Sequence, residues 1–254
     1  MDFQLSFELV AILISVALVA GFVDAIAGGG GLLTIPALLL SGMSPISALA
    51  TNKLQACAGS FSASLTMIRK GLIHPKQIKL ALVMAFVGSA LGTISLQLIN
   101  AQSLTIIIPI LIAIIGIYTL FMPNLGAEPR PAKMSERAWQ TTIVPVIGFY
   151  DGFFGPAVGT FFSLSNVILR GREIIQATAT AKLLNFATNF ASLVFFILGG
   201  KIVWIIGFCM MIGQAIGAYL GSQMVVKGGV KLIRPMIVLM CFAMLIKYTW
   251  NYWH

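Results

Sequence analysis

One pattern of polar residues is written twice into this otherwise apolar chain, and the two copies lie a nearly constant distance apart. Gly21-Phe22-Val23-Asp24 opens the first copy and Gly148-Phe149-Tyr150-Asp151 the second, each followed four residues later by a glycine, Gly28 and Gly155. Ala50-Thr51-Asn52-Lys53-Leu54 is then answered by Ala179-Thr180-Ala181-Lys182-Leu183. Gly71 and Ile73 match Gly200 and Ile202; Gly88, Ala90 and Gly92 match Gly213, Ala215 and Gly217; Pro109 matches Pro235. The offset stays between 125 and 129 residues throughout, so one half-length unit has been duplicated.

The chain has 254 residues, of which 59% are hydrophobic and 9% charged, against roughly 25% charged in a soluble domain. A bilayer-spanning helix needs about 20 apolar residues. Runs of that kind fall near 7–27, 46–68, 78–98, 103–122, 139–154, 173–198, 202–223 and 232–251, with shorter apolar legs at 32–42 and 157–169. The expected fold is an all-α polytopic membrane protein: a first repeat at 1–122, a polar linker at 123–138, and a second repeat at 139–254. Met1-Asp2-Phe3-Gln4 lacks a basic leader region, so no cleavable signal is expected. Cys57, Cys209 and Cys241 lie in predicted helices without paired spacing, which disfavours a disulfide or metal framework.

Loop charges constrain the path of the chain. The net charge of +9 would suggest nucleic acid in a soluble protein, but the basic residues here sit in short loops and act as topology signals. Arg69, Lys70, Lys76 and Lys79 crowd one loop; Arg130, Lys133 and Arg137 lie in the linker; Arg170 and Arg172, and Lys227, Lys231 and Arg234, mark two more loops. An eight-helix count puts some of these on opposite faces. The conflict disappears if 7–42 and 139–170 each enter and return on one side as a helical hairpin. The halves are then inverted, the basic loops share the cytoplasm, Lys201 alone lies in an outside loop, and both termini face outward. Gly28-Gly29-Gly30-Gly31 supplies the first break, since each glycine costs nearly 1 kcal/mol in a helix, and Gly155-Pro156-Ala157 the second. Backbone N–H groups at such breaks, Gly29 and Gly30 among them, suit anions.

Lys53 and Lys182 are the leading candidates for function. A lysine in mid-membrane costs about 2.5–3.5 kcal/mol on insertion scales, and this chain accepts it at matching positions. They form either structural ion pairs with Asp24 and Asp151 or a paired cationic site for an anion. The site is favoured because Thr51, Asn52, Gln55, Thr178, Thr180, Asn185 and Asn189 cluster at similar depth. Asp24 and Asp151 are either anchors at the breaks or protonatable coupling groups. Gly88-x-x-x-Gly92 and Gly213-x-x-x-Gly217 have the small-residue spacing of closely packed helices. Trp204, Trp250, Tyr252 and Trp253 fall near span ends, as interfacial anchors do.

The glycine-rich stretch from Gly28 to Thr34 lacks the lysine of a phosphate-binding loop. His74 lies in a basic loop, His254 is the last residue, and no Ser/His/Asp or Cys/His set is present. Neither enzyme chemistry nor a cofactor is expected. The stretch from Gly21 through Ala37, with Ala50-Thr-Asn-Lys-Leu-Gln-Ala, Gly148-Phe-Tyr-Asp-Gly-Phe-Phe-Gly-Pro-Ala and Thr180-Ala-Lys-Leu-Leu-Asn, resembles the TauE/SafE sulfite and sulfonate exporter family (TSUP), including its YfcA-like members. The resemblance covers nearly the whole chain. It implies a bacterial inner-membrane transporter of small anions, often sulfur-containing or organic.

These observations together predict a secondary transporter whose partners are a small anion and the lipid bilayer, with no nucleic acid, and they are compatible with a homo-oligomer. A membrane scaffold or assembly factor without transport, and an anion channel, are the alternatives. The second copy lacks the four-glycine run, so the two halves are not expected to bind equivalently.

Overall fold

A computed structural model describes residues 6–100 and 131–226, together with 103, 104, 110 and 114. Pro109, Pro235, most of the span expected at 103–122, the span expected at 232–251, Arg130, Lys227, Lys231, Arg234, Cys241, Trp250, Tyr252, Trp253 and His254 lie outside these residues. Among the described residues every element is helical. In chain order they are α1 Phe7–Ala27, α2 Gly31–Leu40, α3 Pro45–Arg69, α4 Lys79–Gln97, α5 Val144–Phe153, α6 Val158–Arg170, α7 Ile174–Leu198 and α8 Trp204–Val226. A 3₁₀ turn, Pro75–Ile78, leads into α4, and a short turn, Glu136–Ala138, with a π-turn, Trp139–Ile143, leads into α5.

The starts of these helices follow from side chains that satisfy free N–H groups. Ser6 Oγ accepts from Leu9 N at 3.2 Å and Ser135 Oγ from Ala138 N at 3.2 Å. Ser44 Oγ accepts from Ser47 N at the start of α3, just before Pro45, a residue whose fixed φ suits the first helical position. Pro145 has no N–H for the carbonyl four residues back, and the helix widens into the π-turn just ahead of it.

Among the described residues four stretches are long and apolar enough to cross a membrane: Phe7–Ala27, Pro75–Gln97, Ile174–Leu198 and Trp204–Val226. On α4, Val83, Val87 and Leu91 point outward, and on α8 Ile205, Phe208, Ile212 and Ile216 do the same. That is the four-residue periodicity of a helix showing one apolar face to lipid. The opposite faces carry the small residues. A side chain at Gly88 or Gly92 would strike the backbone of Pro145 or Phe149 on α5, and one at Gly213 or Gly217 the backbone of Ile14 or Leu18 on α1. The glycine spacing therefore brings α4 onto α5, and α8 onto α1, as expected for close helix approach. Helix α8 also packs on α3, and α4 on α7, so each half contributes its last described helix to the other; α3 and α7 meet in the centre.

Both broken segments turn back on themselves. Leu13 of α1, Leu38 at the end of α2, and Met43 share one buried apolar cluster with Leu9 packed against it, so α1 starts and α2 ends at the same end of the molecule. Trp139 Nε1 donates to Ser165 Oγ at 3.2 Å, and Arg170 Nη2 to Glu136 Oε2 at 2.7 Å, so the second segment also enters and leaves at one end. That is the opposite end, because α3 connects the first hairpin to the 71–78 loop beside Glu136 and Arg172. The basic loops around Arg69–Lys79, Lys133–Arg137 and Arg170–Arg172 thus share one face, here called the linker face.

The linker is pinned to that face. Lys133 N and Met134 N both donate to Leu169 O, at 2.9 and 3.0 Å, and Arg170 bonds the Met134 carbonyl as well as Glu136. Partial burial raises the Glu136 carboxyl, but hydrogen bonds from Arg170 and Gln140 and the charges of Arg170 and Arg172 bring it below the usual carboxylate value. A carboxylate depressed on folding stabilises the fold above its unfolded pKa and loses that contribution as pH falls through its folded pKa. Glu136→Gln is therefore expected to lower the melting temperature at neutral pH, and the gap from wild type should close below about pH 4. A gap that persists there would assign the effect to something other than this ion pair.

Candidate functional site

The two breaks meet tip to tip in the middle of the molecule. Gly28 closes α1 in the left-handed conformation, φ 76°, and donates its N–H to Asp24 O at 2.7 Å. Gly155 and Ala157 adopt φ of 101° and 62° between α5 and α6. Left-handed backbone is costly for a residue with a Cβ, so Ala157 holds its shape because its surroundings impose it. Tyr150 does part of this, donating its hydroxyl to Pro156 O at 2.6 Å. Thr160 of the second hairpin donates its hydroxyl to Ala27 O of the first.

Each lysine crosses to the hairpin of the other half. Lys53 on α3 donates Nζ to Asp151 Oδ1 at 2.5 Å and to Asp151 O at 2.6 Å. Lys182 on α7 bonds the Asp24 carbonyl and lies 3.3 Å from Asp24 Oδ2. The lysines are 2% and 0% exposed. Each ammonium therefore meets a carboxylate and also the carbonyl end of a broken helix, where the helix dipole favours a cation. The structural ion pairs weighed from the sequence are present, each formed between halves.

A small pocket of about 20 Å³ lies between the pairs, lined by Asp24, Gly31, Thr34, Asn52, Lys53, Gln55, Asp151, Gly155, Asn185, Asn189 and Gln214. A cavity needs roughly 10–15 Å³ on this measure to hold one water, so the pocket is closed around its ion pairs and admits no oxyanion. Its walls are mutually bonded amides and hydroxyls. Thr34 Oγ1 donates to Asn52 Oδ1 at 2.5 Å, Gln55 Nε2 to the same oxygen at 2.7 Å, and Asn189 Nδ2 to Asn185 Oδ1 at 2.9 Å. Among the described residues Gln55 Oε1 and Gln214 Oε1 are buried without a hydrogen-bond partner.

Of the residues expected at the site, Lys53, Lys182, Asp24, Asp151, Asn52, Gln55, Asn185 and Asn189 come together. Thr51, Thr178, Thr180, Gly29 and Gly30 do not line the pocket. Thr51 accepts the N–H of Val203 at 3.1 Å, joining α3 to the approach to α8. Thr180 lines a separate cavity at the linker face. The Gly30 N–H, expected to await an anion, is taken by Asp24 Oδ1 at 3.1 Å. Thr34 and Gln214 also line the pocket, the first from the glycine-rich stretch and the second from between two packing glycines, and neither is among the residues expected from the sequence. Both are polar residues inside apolar runs, and that was their signal.

Helices long enough to span a bilayer, two hairpins broken in mid-molecule and a buried polar centre between them define a polytopic membrane transporter. The sulfite exporter TauE/SafE family model matches residues 13–248, and the chain belongs to that family. It is 49% identical over 249 residues to an Escherichia coli K12 protein named "Probable membrane transporter protein YfcA", covering 98% of this chain and 93% of that one. A Haemophilus influenzae protein named "Probable membrane transporter protein" is 48% identical over 248 residues, covering 98% and 97%. "Probable membrane transporter protein ORF9" of Sinorhizobium sp is 39% identical over 244 residues, covering 96% and 94%. No solved structure matches the chain.

Proposed function

We propose that the protein is a secondary transporter that exports small anions, sulfur-containing or organic acids such as sulfite or sulfonates, across the bacterial inner membrane. The linker face lies in the cytoplasm and both termini lie outside, by the positive-inside rule. The halves 1–122 and 139–254 are inverted repeats joined by the 123–138 linker.

The observation that carries this reading is the pair of buried lysines, each held by the opposite half at a helix break. An anion competes with the aspartates for the two ammonium groups, and proton binding to Asp24 or Asp151 releases the lysine that an anion then takes. Asn52, Gln55, Asn185 and Asn189 supply neutral hydrogen bonds around it, with Thr34 and Gln214 beside them. Because each pair ties one half to the other, opening a pair for substrate also loosens the contact between halves. That links binding to the motion a transporter needs.

Purified protein in liposomes is expected to carry saturable sulfite flux that responds to a proton gradient and needs no ATP. Absence of flux across a panel of sulfite, sulfonates and carboxylates would leave the scaffold reading standing. Flux that never saturates would favour a channel.

A further inference from the structure

The two ends of this molecule are built differently at positions that the duplication makes equivalent. At the end away from the linker, Leu38, Met43, Ala48 and Ile206 form a buried apolar cluster with Val203 packed against it. The Val203 N–H closes the seam by bonding Thr51 Oγ1 at 3.1 Å. By the offset of 129 residues, Arg172 and His74 stand where Met43 and Val203 do, and Thr180 stands for Thr51. At the linker face these polar residues line a cavity of about 490 Å³, together with Gln77, Asn166, Gln176 and Glu136 and the apolar Leu72, Ile73 and Ile78. Among the described residues Thr180 bonds back to its own helix, at Gln176 O. Among the described residues the seam is packed with apolar side chains at one end and opens into a cavity with polar walls at the other.

The charges in this cavity are unevenly employed. Arg170 holds Glu136 through Nε at 3.1 Å and Nη2 at 2.7 Å. Arg172 reaches the same carboxylate only at 3.6 Å, and its side chain is 52% exposed. A guanidinium presents five N–H donors in a fork that fits a planar or pyramidal oxyanion, and among the described residues no hydrogen bond occupies those of Arg172. Basic residues at the rim of a low-dielectric cleft raise the local anion concentration, and Lys76, Lys79 and Lys133 belong to the same face.

We propose that this cavity is a capture site for small oxyanions arriving from the linker face. Arg172 is its cation and Thr180, Gln176, Asn166 and Gln77 its hydrogen-bonding wall. It serves as a station before the lysine pocket, while among the described residues the opposite end presents a buried apolar cluster. The inference rests on the transport function proposed above and adds a direction to it: the anion is gathered on one side and released past a surface that does not hold it.

The test uses membrane vesicles of each orientation carrying the full-length protein, with sulfite as the probe. Arg172→Gln is expected to raise the half-saturating sulfite concentration about tenfold from the linker face, the loss of one charge-assisted contact. From the other face it should stay within about twofold, and the melting temperature should match wild type because Arg172 is half exposed. Arg172→Lys should recover part of the loss. Equal shifts from both faces, or no shift from either, would overturn the capture site. If Arg172→Gln does not fold, Thr180→Val decides by the same criterion, with a smaller shift confined to the linker face. A wild-type protein without saturable flux removes the transport reading itself; wild-type flux that ignores both variants removes only this site.

Discussion

Lys53→Met is expected to destabilise the protein and abolish anion transport, and a second substitution should separate the two effects. The lysine is buried against Asp151, which is itself 1% exposed. Removing one partner of a buried pair leaves the other charge without compensation and costs about 3–5 kcal/mol. The loss here includes the Nζ contact to the Asp151 carbonyl, which leaves a helix end uncapped in a place where water cannot replace the bond. Lys53→Met with Asp151→Asn removes both charges and keeps the volumes, so most of the stability should return. Transport should not, because the double variant has no ammonium to offer an anion. Lys182→Met with Asp24→Asn should behave in the same way. Melting temperature and sulfite flux measured on the same six proteins, wild type included with the single and double lysine variants and one aspartate variant, decide the matter. A double variant that regains both stability and flux would reduce the pairs to structural anchors.

The sequence alone left open whether Lys53 and Lys182 form ion pairs with Asp24 and Asp151 or a paired cationic site, and the structure shows the pairs formed. The ambiguity comes from what a linear pattern conveys. Duplication marks Lys53 and Lys182 as equivalent, and the apolar runs place them deep in the fold, but neither says which carboxylate each one meets. The pairing crosses between halves because the hairpin tips meet in the centre and α3 and α7 face one another. Helix positions were legible for a simple reason: a span must be apolar for about 20 residues, and glycine or proline must mark its breaks. The hairpins were legible from the basic loops, of which Arg69–Lys79, Lys133–Arg137 and Arg170–Arg172 share one face among the described residues.

The threonines were misplaced for a related reason. Thr51 and Thr180 each lie two residues before a lysine, and what a side chain meets there depends on which element packs beside it, which the sequence does not state. Thr51 points to the approach of α8 and Thr180 to the linker-face cavity, while Asn52 and Gln55 reach the pocket. Gly30 failed as an anion donor because Asp24, six residues earlier, folds back onto its N–H. A helix that ends near an acid can be capped by that acid, and the sequence contained both parts without stating that they would meet.

Gly28→Ala is the other substitution with a large expected effect, and Gly42→Ala is its control. Both glycines are left-handed, with φ of 76° and 93°. An alanine at either position carries the backbone penalty of roughly 1–2 kcal/mol. At Gly42 nothing lies within 4 Å of the added methyl, so the cost should end there. At Gly28 the methyl would strike the backbone of Gly159 and Thr160 on the opposing hairpin. Backbone cannot rotate away as a side chain can, so the two tips must separate, adding about 1–3 kcal/mol of overpacking. Separation also pulls Thr160 from the Ala27 carbonyl and draws Asp24 away from Lys182, since Gly28 is bonded to the Asp24 carbonyl that the lysine shares. Gly28→Ala should therefore lower the melting temperature well beyond Gly42→Ala and eliminate sulfite flux, while Gly42→Ala retains flux close to wild type. Equal melting temperatures for the two variants would mean that the hairpin tips do not press on each other, and the central site would lose the contact that holds its two halves in register.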